Sequence, residues 1–247
     1  MQGRIVVAVM VCLELLAGCG GGKEQAAGST PSASPAAPVD AGVSRDSPAP
    51  KKPVEPTIPV AALPDTAAVV MDVRLEGKVS AGGRDSGKAV ALRVAGFTIE
   101  AVFTPEDGQG PWAAIATSEY EDSGFAVQQY SDRNNQYYIG IAGKRGGIVS
   151  TPVAVAPALT YLVFSLSDGM LRTYVNGAQK AVDAVPPGFE IRNSNLTVHI
   201  GNSRLVARPF TGSIHQVRIS DRAMPAAEVA EKWAALSKSV AEAKKGP

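Results

Sequence analysis

The chain of 247 residues carries 24 Lys and Arg against 23 Asp and Glu, which gives a formal net charge of +1. A balanced charge without a basic stripe argues against a nucleic-acid-binding protein. Two cysteines are too few for a disulfide framework, and two histidines without a CxxC or HExxH motif argue against a zinc site. The length allows one domain of ordinary size with accessory segments.

The N-terminus has the order of a secretory signal peptide. Arg4 precedes an almost wholly apolar run at residues 5–16, and the small residues Ala17 and Gly18 follow. This run is shorter than the roughly 20 apolar residues that a membrane-spanning helix needs. A charged start, an apolar middle and small residues at the cleavage site are typical of a signal, so we predict that residues 1–18 are removed.

The stretch LAGC, which ends at Cys19, resembles the lipobox of bacterial lipoproteins. The resemblance implies that Cys19 becomes the first mature residue and carries acyl chains such as palmitate, which anchor it in a membrane. Cys12 would be lost with the signal peptide. An ordinary secreted protein with a chance cysteine is the alternative. The lipid anchor implies a location in the cell envelope. Because Gly20 and not an aspartate follows Cys19, with Gly21 after it, we expect the outer membrane if the organism is Gram-negative.

Residues 19–66 are rich in Pro, Ala, Ser and Gly and contain no aromatic residue. Such a segment cannot bury enough apolar surface to offset its ordering entropy, so we predict a disordered linker. Proline favours an extended geometry of about 3.1 Å per residue, which suits a tether between a membrane and a domain. A passive low-complexity tail is the alternative.

Short strands with alternating polarity begin at about Ala67. In FTIEAVF, which ends at Phe103, apolar residues alternate with Thr98 and Glu100, and this pattern predicts a half-buried strand. The dipeptides DG at 168–169 and NG at 176–177 predict type I′ turns within a three-stranded meander. Many short strands without intervening helices indicate an antiparallel sandwich.

Two further patterns concern the C-terminal part of the chain. The apolar residues of GSIHQVRIS fall out of phase, and a bulge near His215 would bring them to one face. After Pro225, the residues Val229, Trp233 and Leu236 recur at helical spacing, which predicts a terminal helix. We expect Trp233 to pack on the sandwich; contact with a partner helix is the alternative.

Three stretches resemble successive signatures of the laminin-G-like, concanavalin A-like lectin/glucanase superfamily. They are FTIEAVFTPED, the hairpin that carries YVNG, and the segment that begins with FTGSI. The resemblance spans about Ala67 to Leu236 and implies an all-β fold, an antiparallel two-sheet jelly-roll sandwich.

The predicted domains follow from these patterns. They are a signal peptide (1–18), a lipidated cysteine with a disordered linker (19–66), a laminin-G-like sandwich (67–224) and a C-terminal helix with a tail (225–247).

Two motifs argue weakly for chemistry. GGRDSGKA fits G-x-x-x-x-G-K, but Ala89 stands where a phosphate loop requires Ser or Thr, so we interpret it as a Gly-rich hairpin connection. Glu119 and Glu121 share a face, as the paired carboxylates of a glycosidase would. We interpret their surroundings, SEYEDSG, as a solvated acidic turn, and we predict no catalytic residue.

The stretch QQYSDRNNQYY is the main binding candidate, because its tyrosines could stack on sugar rings and its polar residues could bind hydroxyls. The predicted ligand-binding residues are Tyr130, Asp132, Arg133, Asn134, Asn135 and Tyr137. A plain β-turn is the alternative, since Asp, Asn and Ser are also turn residues. The loop from Asn202 to Arg208, with two arginines, is a second candidate.

We predict a noncatalytic module, tethered to a membrane, that recognises a glycan or a protein at the bacterial cell envelope. The alternatives are an envelope scaffold without a sugar ligand and a polysaccharide hydrolase. We predict no cofactor and no nucleic-acid partner. The family resemblance allows calcium at a loop rim, but no carboxylate cluster matches such a motif.

Overall fold

The computed structural model describes residues 69–75, 77–79, 82–119, 121–130 and 135–243. These residues form two antiparallel sheets and a C-terminal helix, which confirms the predicted all-β sandwich. The predicted signal peptide, Cys19 and the predicted linker lie outside the described residues. No helix of the described part is long and apolar enough to span a bilayer.

The strands of the described part are, in chain order, β1 (Val69–Arg74), β2 (Arg84–Ala89), β3 (Phe97–Pro105), β4 (Ala114–Thr117), β5 (Phe125–Gln129), β6 (Gln136–Ile141), β7 (Ile148–Val149), β8 (Val153–Ala154), β9 (Thr160–Ser167), β10 (Met170–Val175), β11 (Ala178–Ala184), β12 (Thr197–Ile200) and β13 (Gly212–Ser220); the helix α1 spans Ala226–Ala243. One sheet has six strands in the order β1-β13-β3-β9-β10-β11. The other has seven strands in the order β2-β12-β4-β5-β6-β7, with β8 also paired to β6.

The apolar core consists of side chains from the inner faces of both sheets. Phe103 of β3 belongs to this core, and its ring packs edge-on against Tyr137 of β6 at 5.1 Å between centroids and against Phe210 at 5.8 Å. All three side chains are buried. Each aromatic side chain in such a core removes about 150–250 Å² from water, so this cluster contributes strongly to the packing of the two sheets.

The predicted bulge and turns are present. The pairing of β13 with β3 shifts register between Ile214 and Gln216, and Ile214, Val217 and Ile219 all reach the core as a result. The hairpin turns between β9, β10 and β11 contain residues with positive φ, for example 51° at Asn176. Asparagine and glycine accept this conformation more readily than other residues, which explains the dipeptides found there.

The helix α1 covers the outer face of the six-stranded sheet. Val229, Leu236 and Val240 pack on Val102 and neighbouring sheet residues, with Trp233 partly buried at the same contact, as predicted. The prediction that β3 is half-buried was therefore wrong. The strand is buried on both faces because the helix supplies a second apolar layer, which alternation within one strand does not reveal.

Charged residues lie beneath this helix. Lys232 donates hydrogen bonds from Nζ to both carboxylate oxygens of Glu100, at 3.1 and 3.3 Å, and the Tyr161 hydroxyl donates to the same carboxylate. At the start of the helix, Arg222 donates two hydrogen bonds to Glu228, at 2.7 and 2.8 Å. These hydrogen bonds are the main reason why the pKa of Glu228 lies below its usual value.

The stretch GGRDSGKA differs from its predicted form. Residues from Arg84 to Ala89 are the edge strand β2, which pairs with β12, so the interpretation as a hairpin connection was wrong. Lys88 lies within this strand and not at the start of a helix. The backbone therefore lacks the helix N-terminus that a phosphate loop needs.

Candidate functional site

The outer face of the seven-stranded sheet carries a group of polar and aromatic side chains. Val127 of β5 and Ile139 of β6 point into the core. Because successive side chains of a strand alternate between faces, the neighbouring Gln128 and Tyr138 point outward. They are direct cross-strand partners, and the Gln128 amide donates a hydrogen bond to the Tyr138 hydroxyl.

Three rings meet beside this pair and form what we call the aromatic cluster: Trp112, Tyr130 and Tyr138. The Trp112 ring lies 6.0 Å from Tyr130 and 6.2 Å from Tyr138, and the two tyrosines are 5.7 Å apart. Trp112 and Tyr130 are partly exposed, whereas Tyr138 is buried. The cluster therefore presents two aromatic surfaces to solvent above a buried third ring.

Trp112 is held in an unusual backbone conformation. Its φ is 62°, a region that a bulky residue rarely adopts and that costs of order 1–3 kcal/mol. The side-chain amide of Gln129 donates a hydrogen bond to the carbonyl of Gly110 at 3.2 Å. Its main-chain amide donates to the carbonyl of Ala113 at 2.9 Å. These bonds fix the turn on both sides of Trp112 and hold its indole over the sheet.

Arg208 is fixed by contacts with both its backbone and its side chain. Its amide donates to the Oδ1 of Asn202 at 2.6 Å, and its carbonyl accepts from the amide of Ala114 at 3.0 Å. Its guanidinium lies 5.9 Å from the centroid of the Trp112 ring, and Nη1 donates to the Oε1 of Gln128 at 3.1 Å. A cation so close to an indole face is attracted by the ring quadrupole.

A small cleft of about 80 Å³ adjoins Arg208 on this face. Its lining residues are Thr117, Glu119, Glu121, Ala126, Gln128, Ser203, Leu205, Val206 and Arg208. Outward residues of β4 and β5, the turn between these strands and the loop at 203–208 thus contribute to one site. Leu205 and Val206 expose 59% and 56% of their surface, so the loop adds an apolar edge to a polar cleft.

The turn between β4 and β5 is tightly held. Glu119 and Glu121 adopt φ values of 90° and 72°. The Glu119 carboxylate accepts hydrogen bonds from the hydroxyls of Ser123 at 2.6 Å and Ser194 at 3.0 Å. Backbone strain that surrounding contacts hold in place is common in binding sites. Here Glu119 and Glu121 have strained backbones and line the cleft. The predicted acidic turn therefore joins β4 to β5, and its two glutamates line the cleft.

The predicted ligand-binding residues separate into three groups. Tyr130 belongs to the aromatic cluster. The main-chain amide of Asn135 donates a hydrogen bond to the Oε1 of Gln129 at 3.1 Å. Tyr137 is 0% exposed and packs on Phe103 in the core, so the prediction that its ring stacks on a ligand was wrong. Strand β6 turns Tyr137 inward and its neighbour Tyr138 outward. The other three predicted residues, at 132–134, lie outside the described part of the chain.

Sequence reasoning missed Trp112 altogether. Gln128 and Tyr138 are the two ends of the predicted stretch, but neither was named as a ligand-binding residue. Trp112 follows Gly-Pro in a loop, and an aromatic residue at such a place was the available signal. The loop from Asn202 to Arg208 was the second candidate, and the structure brings Arg208 to the cleft. No cluster of three or more His, Cys, Asp or Glu suited to a metal ion occurs among the described residues.

The comparison with protein families gives a match over residues 82–230, to a laminin G model described as the concanavalin A-like lectin/glucanases superfamily. The chain belongs to this superfamily. The matched residues include β2 to β13 and the first turn of α1, so β1 alone of the described strands lies outside the match. A comparison with curated proteins finds no match.

Solved structures with the superfamily fold resemble the chain at low identity. The leech intramolecular trans-sialidase has a TM-score of 0.54 at 14% identity, with 67% of this chain and 28% of that chain covered. The NanB sialidase from Streptococcus pneumoniae has a TM-score of 0.54 at 15% identity, with 66% and 28% covered. This chain thus spans little more than a quarter of either sialidase.

A third structure is matched over nearly its whole length. It is the CBM40 module of the Ruminococcus gnavus IT-sialidase, bound to α2,3-sialyllactose. The TM-score is 0.51 at 13% identity, with 66% of this chain and 97% of that chain covered. At this identity the likeness establishes a shared fold.

Proposed function

We propose that the sandwich is a noncatalytic recognition module that binds a glycan on the outer face of its seven-stranded sheet. The arrangement of Arg208 over Trp112, braced by Gln128 beside the cleft, carries the proposal. It combines aromatic faces with a few fixed polar groups, which is the composition of small-ligand sites in general. The sugar-bound CBM40 module of the same fold supports a glycan as the ligand.

Each part of the site has a role in this proposal. The exposed faces of Trp112 and Tyr130 stack on the apolar face of a sugar ring. Arg208 donates hydrogen bonds to ring substituents while Gln128 holds its guanidinium in place, and Glu119 accepts hydrogen bonds from hydroxyls. Because surrounding bonds hold these groups before the ligand arrives, binding costs little ordering entropy.

The arrangement of carboxylates supports a binding role without hydrolysis. Glycosidases place two carboxyl groups on either side of the scissile bond, one acting as acid and the other as base or nucleophile. Here Glu119 and Glu121 come from one short turn, and two serine hydroxyls already bond to the Glu119 carboxylate. Such a carboxylate is suited to positioning a hydroxyl.

We expect Tyr130→Ala to weaken glycan binding by about tenfold, because loss of one stacking ring removes roughly 1–1.5 kcal/mol. The measurement is titration of the purified chain with the best oligosaccharide from a glycan array. Arg145→Ala is the control, since Arg145 is exposed and lines a different cleft. Equal loss in both variants, or none in Tyr130→Ala, would place the ligand elsewhere.

We also propose that Cys19 is acylated and anchors the module to a membrane through the proline-rich segment. The order of the N-terminal residues supports this proposal. We expect Cys19→Ala to move the protein from the membrane fraction to the soluble fraction, while Cys12→Ala leaves it membrane-bound. Fractionation and metabolic labelling with a palmitate analogue measure both effects. Labelled protein in Cys19→Ala cells would contradict the lipobox.

A further inference from the structure

The pairing of Arg208 differs from that of the neighbouring arginine in its loop. Arg204 forms an ion pair with Asp85 and donates to the Thr197 hydroxyl at 2.9 Å. Arg218 and Arg222 also have carboxylate partners. No Asp or Glu of the described residues forms an ion pair with Arg208. A half-buried cation thus adjoins the cleft without an ion-pair partner among the described residues.

The bonds that hold Arg208 leave one edge of its guanidinium open to a ligand. Nη1 donates to the Oε1 of Gln128, and the guanidinium carbon lies over the Trp112 ring. Among the described residues, no acceptor bonds to Nε or Nη2. These two N–H groups form the parallel fork that matches the two oxygens of a carboxylate.

The other charges of the cleft limit which anions fit. Glu119 and Glu121 line the same cleft as Arg208. They would repel a densely charged polyanion, but they can accept hydrogen bonds from the hydroxyls of a sugar that carries one acidic group. The cleft therefore offers a single cationic contact beside groups suited to neutral hydroxyls.

We propose, resting on the function proposed above, that the glycan is terminated or branched by a sugar acid and that Arg208 binds its carboxylate. Sialic acids and uronic acids both supply this chemistry. The guanidinium makes a paired, charge-assisted contact, while the aromatic cluster contacts the ring or its neighbour. Hydrogen bonds to charged groups are stronger than neutral ones, so the acid group decides specificity.

The experiment compares matched acidic and neutral sugars on the purified full chain. The probes are 3′-sialyllactose against lactose, and a glucuronate oligosaccharide against its carboxyl-reduced form. We expect one acidic member to bind at least about tenfold tighter than its neutral partner. The pair that shows this preference distinguishes sialic from uronic acids.

Two variants test whether Arg208 is responsible for the preference for the acidic sugar. Arg208→Gln should abolish the preference for the acid while a weak affinity for the neutral partner remains. Arg204→Gln in the same loop should keep the preference, because Arg204 is already paired with Asp85. Thermal denaturation checks that both variants fold.

The outcomes separate the two proposals. Equal binding of acidic and neutral members would overturn the sugar-acid inference and leave glycan recognition standing. A preference that survives Arg208→Gln would likewise overturn the role of Arg208. Failure of every oligosaccharide on a broad array would overturn the proposed function, and this inference with it.

Discussion

Lys232→Met is expected to lower the free energy of unfolding by about 3–5 kcal/mol, because it leaves the Glu100 carboxylate buried without its partner. Lys232 and Glu100 are only 4% and 2% exposed. Burial, with the neighbouring Glu100 carboxylate, raises the pKa of the Tyr161 phenol, so Tyr161 stays neutral and offers only a hydrogen bond. Urea denaturation followed by tryptophan fluorescence measures the loss.

The double variant Glu100→Gln with Lys232→Met is the matched control. It removes both charges while the Gln side chain still accepts the hydrogen bond of Tyr161. Replacing a buried ion pair by neutral groups of similar volume is often close to neutral, so we expect most of the lost stability to return. If Lys232→Met alone costs less than about 1 kcal/mol, the pair behaves as an exposed one and the helix does not exclude water from it.

Gly124→Ala is expected to cost about 3 kcal/mol and to impair glycan binding as well. Gly124 has a φ of 81°, and an added Cβ would lie 2.5 Å from the Ser118 hydroxyl and 2.7 Å from the Ser118 carbonyl oxygen. The turn must move to relieve this overlap. Because Glu119 of this turn lines the cleft, the movement would displace a group of the binding site. Chemical denaturation and the glycan titration report the two effects separately.

Gly108→Ala separates backbone strain from steric overlap. Gly108 has a similar φ of 76°, but a Cβ there would meet nothing within 4 Å. We expect a cost of about 1 kcal/mol from the left-handed conformation alone, with unchanged glycan binding. Equal costs for Gly108→Ala and Gly124→Ala would show that the turn at Gly124 yields without strain.

The strands and turns could be predicted because their signals are local. Alternation in FTIEAVF locates β3, and the Asn176-Gly177 dipeptide locates a turn whose φ is positive at both residues. The bulge near His215 could be predicted from a phase change of apolar residues within nine positions. Each of these signals depends on residues that are neighbours in sequence, so no knowledge of distant contacts is needed.

The binding site could be predicted only in part. Tyr130 lies in the predicted stretch and in the aromatic cluster, but the choice of Tyr137 over Tyr138 depended on the register of β6. Shifting a strand by one residue exchanges the two faces, and turn residues alone do not fix that register. Trp112 and Arg208 are distant in sequence, and only the folded chain brings the guanidinium over the indole ring.

The sequence by itself determined the class of fold, several of its strands and turns and the terminal helix, because period and turn chemistry are properties of short segments. The tertiary structure decided what those segments form together. It joined Gln128 to Arg208 across 80 positions and Glu100 to Lys232 across 132. Such contacts arise from sheet order and helix docking, so the recognition face and the buried ion pair emerge only when the chain is folded.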